Sequence, residues 1–255
     1  MSKCTLLIGF GSNKPGNQRR MLDVASKLSA EGNDVRYAYI GGDEPTISSA
    51  MKKIREDGIT ECTVIPFLTA TGEMTTRYIP RHLGIEESYG TYNIETGSCS
   101  KINYLKAVGE LPEIADIIDD MVSELDVEDD STGIMLITYG SQLRYNSLMA
   151  QAHVDALMAK GHAHVLTAFL DYNEPTIEDC ETFMIRRGAE KIIAVPVMIA
   201  ENGEDVDRIP EGLGIAKGTD FGTINVSGRD VDIYLTKAVG ENDAIVGVIR
   251  KMAGL

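Results

Sequence analysis

"LIGFGSNKPGN", residues 7–17, and "LITYGSQLRYN", residues 136–146, are one phrase written twice: an apolar run of strand length, then a glycine-serine loop. Aligning Gly11-Ser12 on Gly140-Ser141 brings the rest of the chain into register. "DEPTISSAMKKIREDG" (43–58) answers "NEPTIEDCETFMIRRG" (173–188), and "CTVIPFL" (62–68) answers "IIAVPVM" (192–198). "RYIPRHLGI" (77–85) answers "DRIPEGLGI" (207–215), and "KAVGE" occurs at 106–110 and again at 237–241. Self-similarity of this kind marks a duplicated structural unit. The expected halves are 1–125 and 132–255, joined by an acidic linker at 126–131 inside "ELDVEDDSTG".

Each half alternates strand-length and helix-length segments. In the second, "GIMLITYG" (133–140), "AHVLTAFL" (163–170), "IIAVPVMI" (192–199) and "FGTINVSG" (221–228) read as strands. "NSLMAQAHVDALMAKG" (146–161) reads as a helix with Leu148, Ala152, Leu157 and Met158 near one stripe and Gly161 as its cap. "EPTIEDCETFMIRRG" (174–188) places Ile177, Cys180 and Met184 on one face, with Pro175 in the first turn and Gly188 at a left-handed cap. "NDAIVGVIRKM" (242–252) closes the half as a helix. Nearly continuous apolar strands between helices predict an α/β fold: two tandem parallel sheets, each with helices on both faces. Ligands of such sheets bind beyond the carboxyl ends of the strands. Four loop pairs lie there: 9–17 with 138–146, 41–46 with 171–176, 69–80 with 200–210, and 97–110 with 227–241.

Bulk properties narrow the function. The 255 residues include 39 Asp and Glu against 24 Lys and Arg, a formal charge of −15 that argues against nucleic acid or an anionic membrane surface as partner. No apolar run approaches a membrane span, and "MSKCTLLIGFGS" lacks the order of a signal peptide, so a cytoplasmic location is expected. Cys4, Cys62, Cys99 and Cys180 form no C-x-x-C, which makes a disulfide framework or zinc-thiolate site unlikely and favours small apolar side chains in the interior.

The glycine-serine loops match neither a dinucleotide fingerprint nor a P-loop, and neither Ser12 nor Ser141 sits in G-x-S-x-G. "AENGEDVDRIP" (200–210) gathers Glu201, Glu204, Asp205 and Asp207, hard oxygen donors suited to a divalent cation or to accepting protons, or simply to solvent. Its partner "ATGEMTTRYIP" (70–80) keeps only Glu73. Among the four histidines, His162 and His164 are expected at the surface on a turn away from the functional edge, His153 on a helix face, and His82 alone near a candidate site.

Taken in order, the strand with its G-x-G-S-type loop, "AFLDYNEPTI", the "VP" strand, the loop ending in "IP" and the late "VGE" resemble the class II tetrapyrrole chelatases, once per half. These include the sirohydrochlorin cobaltochelatases and ferrochelatases. The resemblance implies two flavodoxin-like (chelatase-like) halves facing each other across a cleft that holds a planar tetrapyrrole. It also implies insertion of a divalent metal as substrate, cobalt first, with iron or nickel as alternatives, in cobalamin or sirohaem synthesis, with no organic cofactor. The family's metal site uses a histidine in G-H-G-S and another in G-x-H-x-x-x-D-I-P. Here the first position holds Phe10 and Tyr139, the second Met74 and Glu204, or Asp205 if the loop slips by one. The expected site is therefore oxygen-rich and in the second half. Tyr139, Glu204 and Glu174 (or Asp171) would act on the metal, with Tyr139, Glu204 and Asp205 as its ligands. The substrate's carboxylates would dock on Ser12, Ser141, Lys14, Arg77, Arg144 and Arg208, with Arg19 and Arg81 nearby. The alternative is a non-catalytic homologue that binds a tetrapyrrole or another anionic small molecule as carrier or regulator. Whether the chain is a monomer or a homo-oligomer is left open by the sequence.

Overall fold

The structure, a computed structural model, describes residues 2–85, 89–93, 99–200, 203–226 and 228–255; the side chains of Asn93 and of residues 203–206 lie outside the described set. By contacts the chain forms two compact units, Met1–Leu111 with Asp243–Leu255, and Pro112–Asn242.

The first unit contains β1 (Lys3–Phe10), α1 (Pro15–Ala30), β2 (Val35–Ile40), α2 (Ile47–Glu56), β3 (Glu61–Pro66), α3 (Ile79–Leu83), β4 (Gly90–Asn93) and β5 (Lys101–Tyr104). In the second unit, α4 (Glu113–Ser123) precedes β6 (Thr132–Thr138), α5 (Tyr145–Lys160), β7 (Val165–Phe169), α6 (Ile177–Arg186), β8 (Lys191–Pro196), α7 (Gly203–Gly212), β9 (Phe221–Val226) and β10 (Arg229–Leu235). The last helix, α8 (Ala244–Ala253), belongs to the first unit, where it packs on α1 and β3; α4 packs on α5 in the second. Each unit is thus completed by the closing helix of the other repeat.

The sheets have matching orders, β2-β1-β3-β5-β4 and β7-β6-β8-β10-β9, parallel except for the outermost strand. The central strands are apolar throughout because helices cover both faces: every residue of β6 is buried, and Leu6, Leu7 and Ile8 of β1 are fully so. Ile54 and Ile102 join one core, Met184 and Ile192 the other. All four cysteines are free and buried. None of the described helices is long and apolar enough to cross a membrane.

Three sequence expectations need correction. The segment 221–228 is not the fourth parallel strand: β9 is an antiparallel edge, and β10 holds the parallel place beside β8. β10 escapes a search for apolar runs because Arg229, Asp230 and Asp232 alternate with buried Val231 and Ile233, and its acids bond across the hairpin to Asn225 and Thr223. In α5, Leu148 and Met158 are exposed, while Met149, Ala150, His153, Val154 and Leu157 form the buried stripe. Pro175 lies ahead of α6 rather than in its first turn. The Glu174–Pro175 bond is cis, as is Glu44–Pro45, and Thr176 caps the helix in a reciprocal box with Asp179.

His162, expected at the surface, is half-buried with its ring held between two carboxylates. Its Nδ1 lies 2.6 Å from Glu128 and its Nε2 2.8 Å from Asp119 of α4, while Lys160 reaches Asp119 at 2.9 Å and Asp116 at 2.8 Å. A ring with both nitrogens against carboxylates donates from both, so the protonated form is the one held. Burial works against that charge, but Glu128 and Asp119 outweigh it and raise the pKa. A raised imidazole pKa gives stability that is complete below its ordinary value of about 6.5 and is lost as pH rises through the raised value. His162→Leu is expected to cost about 1–3 kcal/mol in urea unfolding at pH 6 and to remove this part of the alkaline decline.

Candidate functional site

The repeated loops at the carboxyl ends of the strands are first of all locks. In the first unit the buried Asn17 accepts from the Phe10 N–H at 2.7 Å and donates to the Phe67 carbonyl at 3.0 Å, joining β1, α1 and the end of β3. The Ser12 backbone N–H and hydroxyl both donate to Asp43. Gly11 is required there, since a Cβ would lie 2.0 Å from the Asp43 carboxylate. In the second unit Asn146 accepts from the Gly140 N–H at 3.2 Å, and Asn173 accepts from the Ser141 N–H at 2.6 Å. Ser141 Oγ accepts from the Leu143 N–H at 3.0 Å. Asn17 and Asn146, and Asp43 and Asn173, are equivalent positions, so the "GS" and "EPT" phrases are repeated because they hold these loops together.

The "VGE" phrase locks the next loop. A 3-10 turn at Val108–Glu110 donates from Gly109 to the Leu68 carbonyl at 3.2 Å, and Glu110 accepts from the Thr71 N–H. The turn at Val239–Glu241 repeats this, with Gly240 donating to Met198 at 2.9 Å.

Three of the four positions of the family histidines, those whose side chains are described, have been absorbed into packing. Phe10 and Met74 lie against the core of the first unit, Met74 opening a π-helical turn at Met74–Tyr78. Tyr139 is half-buried against the core of the second. Glu204 and Asp205 fall in α7, and their side chains lie outside the described residues. Arg208 forms a bidentate pair with Asp171 at 2.9 and 3.1 Å and donates to the Leu170 carbonyl at 3.0 Å, which holds the Asp171 carboxyl below its usual range. Glu174 is exposed, as are Arg77 and Arg144; Lys14 is partly so. His82 is exposed and stacks on Tyr78. His153, expected on a helix face, is buried.

Among the described residues no group of three or more His, Cys, Asp or Glu side chains is placed to hold a metal ion. This overturns the expectation that the chain inserts a metal into a tetrapyrrole with Tyr139, Glu204 and Glu174 as its working groups: neither unit supplies, among those residues, the donor set that such a reaction needs.

What the edge of the second unit offers instead is exposed aromatic and apolar surface. Tyr172 is 73% exposed and has φ +61, Tyr145 is 44% exposed and Leu143 43%, and Arg144 lies between the last two. The loops that carry them are tied by the Ser141–Asn173 bond. The equivalents in the first unit are Gly42, Gly16 and Lys14, so this surface belongs to one copy only. Sequence reading passed over it; the signal was the contrast of "LDYNEPT" with "IGGDEPT". A tyrosine in the left-handed region costs on the order of 1 kcal/mol, and a costly backbone under an exposed ring points to use of the ring.

Two mostly parallel sheets in tandem, each carrying the same set of edge loops, define a duplicated chelatase-like α/β protein. The CbiX family matches residues 4–125 and 133–253, and the chain belongs to that family. It is 32% identical over 121 residues to a sirohydrochlorin cobaltochelatase of Methanosarcina acetivorans, a match covering 47% of this chain and 92% of the relative. The corresponding enzyme of Methanococcoides burtonii is 31% identical over 123 residues, covering 48% and 93%. These relatives are therefore about one repeat long. DR2241 from Deinococcus radiodurans, a multi-domain protein with structural similarity to chelatases, superposes with a TM-score of 0.77 at 20% identity, over 99% of this chain and 55% of its own. SirB from Bacillus subtilis with Fe3+ superposes with a TM-score of 0.72 at 15% identity, over 99% and 96%. The fold is shared with both.

Proposed function

We propose that this protein is a non-catalytic member of the family that binds a tetrapyrrole, or another planar anionic small molecule, as a carrier or regulator. One observation carries the reading. At the strand ends where the family places its histidines, Phe10, Met74 and Tyr139 pack against the cores, while the neighbouring loops of the second unit present Tyr172, Tyr145, Leu143 and Arg144 outward. Aromatic rings suit the face of a macrocycle, each stacked pair contributing about 0.5–1.5 kcal/mol beyond area burial. The Arg144 guanidinium, exposed in the same unit, suits its carboxylates. The curated relatives' name, sirohydrochlorin cobaltochelatase, supplies the ligand class. We place the boundary of the two repeats at the acidic stretch 126–131.

Titration with sirohydrochlorin, followed by its visible absorption, tests the reading. Arg144→Ala and Tyr172→Gly are each expected to weaken binding about tenfold, equivalent to about 1.4 kcal/mol. Tyr172→Gly also relieves the left-handed backbone and raises thermal stability by about 1 kcal/mol. Wild-type affinity in both variants would contradict the assignment of this surface.

A further inference from the structure

The duplication supplies an internal control for the region where an outer strand meets its two helices. In the first unit β2 and α2 furnish it with rings and ion pairs. The Tyr37 ring lies 5.6 Å from that of Tyr39. Arg36 bonds Asp34 at 2.8 and 2.9 Å and Asp57 at 2.7 Å, and Lys53 bonds Asp57 at 2.7 Å. The second unit has Thr167 for Tyr37, Leu166 for Arg36, His164 for Asp34, Arg187 for Asp57 and Phe183 for Lys53. A tyrosine ring and every one of those ion pairs are gone. Along β7 lies a cavity of about 540 Å³, walled by Val154 and Met158 of α5, Leu166 and Thr167 of β7, and Phe183 and Arg187 at α6. Sites for small molecules run from about 300 to 1,000 Å³ and are mostly apolar with a few polar groups. Met158 and Phe183 remain 52% and 44% exposed beside it.

We propose that this cavity binds a small flat aromatic anion. Its ring takes the place equivalent to Tyr37, against Leu166, Thr167 and Met158, and its carboxylate or sulfonate pairs with Arg187. Charge selects the anion. The Arg187 guanidinium lies 4.6 Å from the centre of the Phe183 ring and has no ion pair or hydrogen bond among the described residues. A guanidinium stacked on a ring keeps its donors free in its own plane, the geometry that receives a carboxylate or sulfonate side-on. The substitutions also remove acids from this end: Asp57 has become Arg187, and Asp34 has become His164, which lines the cavity as well. Asp130 and Glu174 complete the charged lining, and neither bonds Arg187. Glu174 precedes α6 and Arg187 follows it, so the ten residues of that helix set them about 15 Å apart. The bonds that β7 makes along its outer edge, from the Phe169 N–H to the Pro175 carbonyl and from Cys180 Sγ to the Thr167 carbonyl, stay in place, because side chains alone receive the ligand. The site runs along β7 and uses none of Tyr172, Tyr145, Leu143 or Arg144, so it stands apart from the tetrapyrrole reading.

Fluorescence titration of the full chain with two matched probes tests this: 1-anilinonaphthalene-8-sulfonate, and N-phenyl-1-naphthylamine, which has the same rings without the sulfonate. The wild type is expected to bind one equivalent of the sulfonate saturably at micromolar concentration. Thr167→Tyr, which restores the ring of the first repeat, should weaken both probes about tenfold or more by filling the cavity. Arg187→Gln should weaken the sulfonate about tenfold and leave the neutral probe within about twofold, a split that a fold defect could not produce. Tyr172→Gly should leave both probes at wild-type affinity. No saturable binding by the wild type, equal effects of Arg187→Gln on the two probes, wild-type affinity in a folded Thr167→Tyr, or loss of binding in Tyr172→Gly would each overturn the proposal.

Discussion

Gly240→Ala is expected to destabilise the protein by about 3 kcal/mol or more, among the largest effects of any single methyl group in this chain. A Cβ at Gly240 would sit 1.8 Å from the Ile199 carbonyl oxygen, and at Gly109 2.1 Å from that of Thr69. In both places the obstacle is backbone, which cannot rotate aside as a side chain can. The neighbours Ala238 and Val239 are fully buried, so the turn has no room to retreat, and the bond from Gly240 to Met198 breaks if it does. Gly72→Ala is the control: nothing lies within 4 Å of the added carbon and its φ is not positive, so stability should hold or rise slightly. Urea unfolding of Gly240→Ala, Gly109→Ala and Gly72→Ala checks this, the first two being destabilised and the third not. Each "VGE" turn holds, within its own unit, the loop that follows β3 or β8 at the carboxyl edge of the sheet.

The second large effect has the opposite sign. Glu181 of α6 is 7% exposed, its Oε1 has no partner among the described residues, and the equivalent position in the first repeat is the core residue Met51. Burial, with a smaller contribution from Glu178, pushes its carboxyl pKa up to about 7. A carboxylate whose folded pKa is raised favours the folded state fully only below its ordinary value of about 4.3, and that advantage is lost as pH climbs through 7. Glu181→Met is therefore expected to stabilise the chain on the order of 2 kcal/mol at pH 8.5 and little at pH 4.5. Thermal unfolding at the two pH values reads the difference; equal gains at both would contradict a charged Glu181 at high pH. His162 acts in the same direction, its imidazolium clamp also weakening as pH rises through its raised pKa.

The architecture was legible because duplication repeats its own punctuation. The loop glycines, both "EPT" phrases and both "VGE" phrases recur at matched offsets, and each proves to hold a strand end to its neighbour. What escaped was decided by tertiary packing. The charged alternation of Arg229–Leu235 resembles a loop until β8 and β9 flank it. Leu148 and Met158 fit a helical stripe as well as the buried residues of α5 do, and only the placement of β7 decides between them. Nor does local sequence reveal that Asp119 and Glu128 meet at His162. The site was legible in part. The sequence placed Arg144 in a loop, where it is exposed, and showed the family's histidine positions replaced. Reading Tyr139, Glu204 and Glu174 as a working oxygen-donor site failed, because among the described residues no group of acids and histidines is placed to hold a metal. Tyr139 packs against the core and Glu174 stands exposed. Arg208, chosen as a docking cation, pairs with Asp171.

The central claim is that the edge keeps a surface for a macrocycle without the chemistry to metallate it. Its most direct test is one absorption experiment in which the protein is mixed with sirohydrochlorin and Co2+ is then added. A saturable spectral change on mixing, followed by metallation no faster than in protein-free buffer, is the predicted result. Protein-dependent metallation, or a spectrum that the protein leaves unchanged, would contradict it.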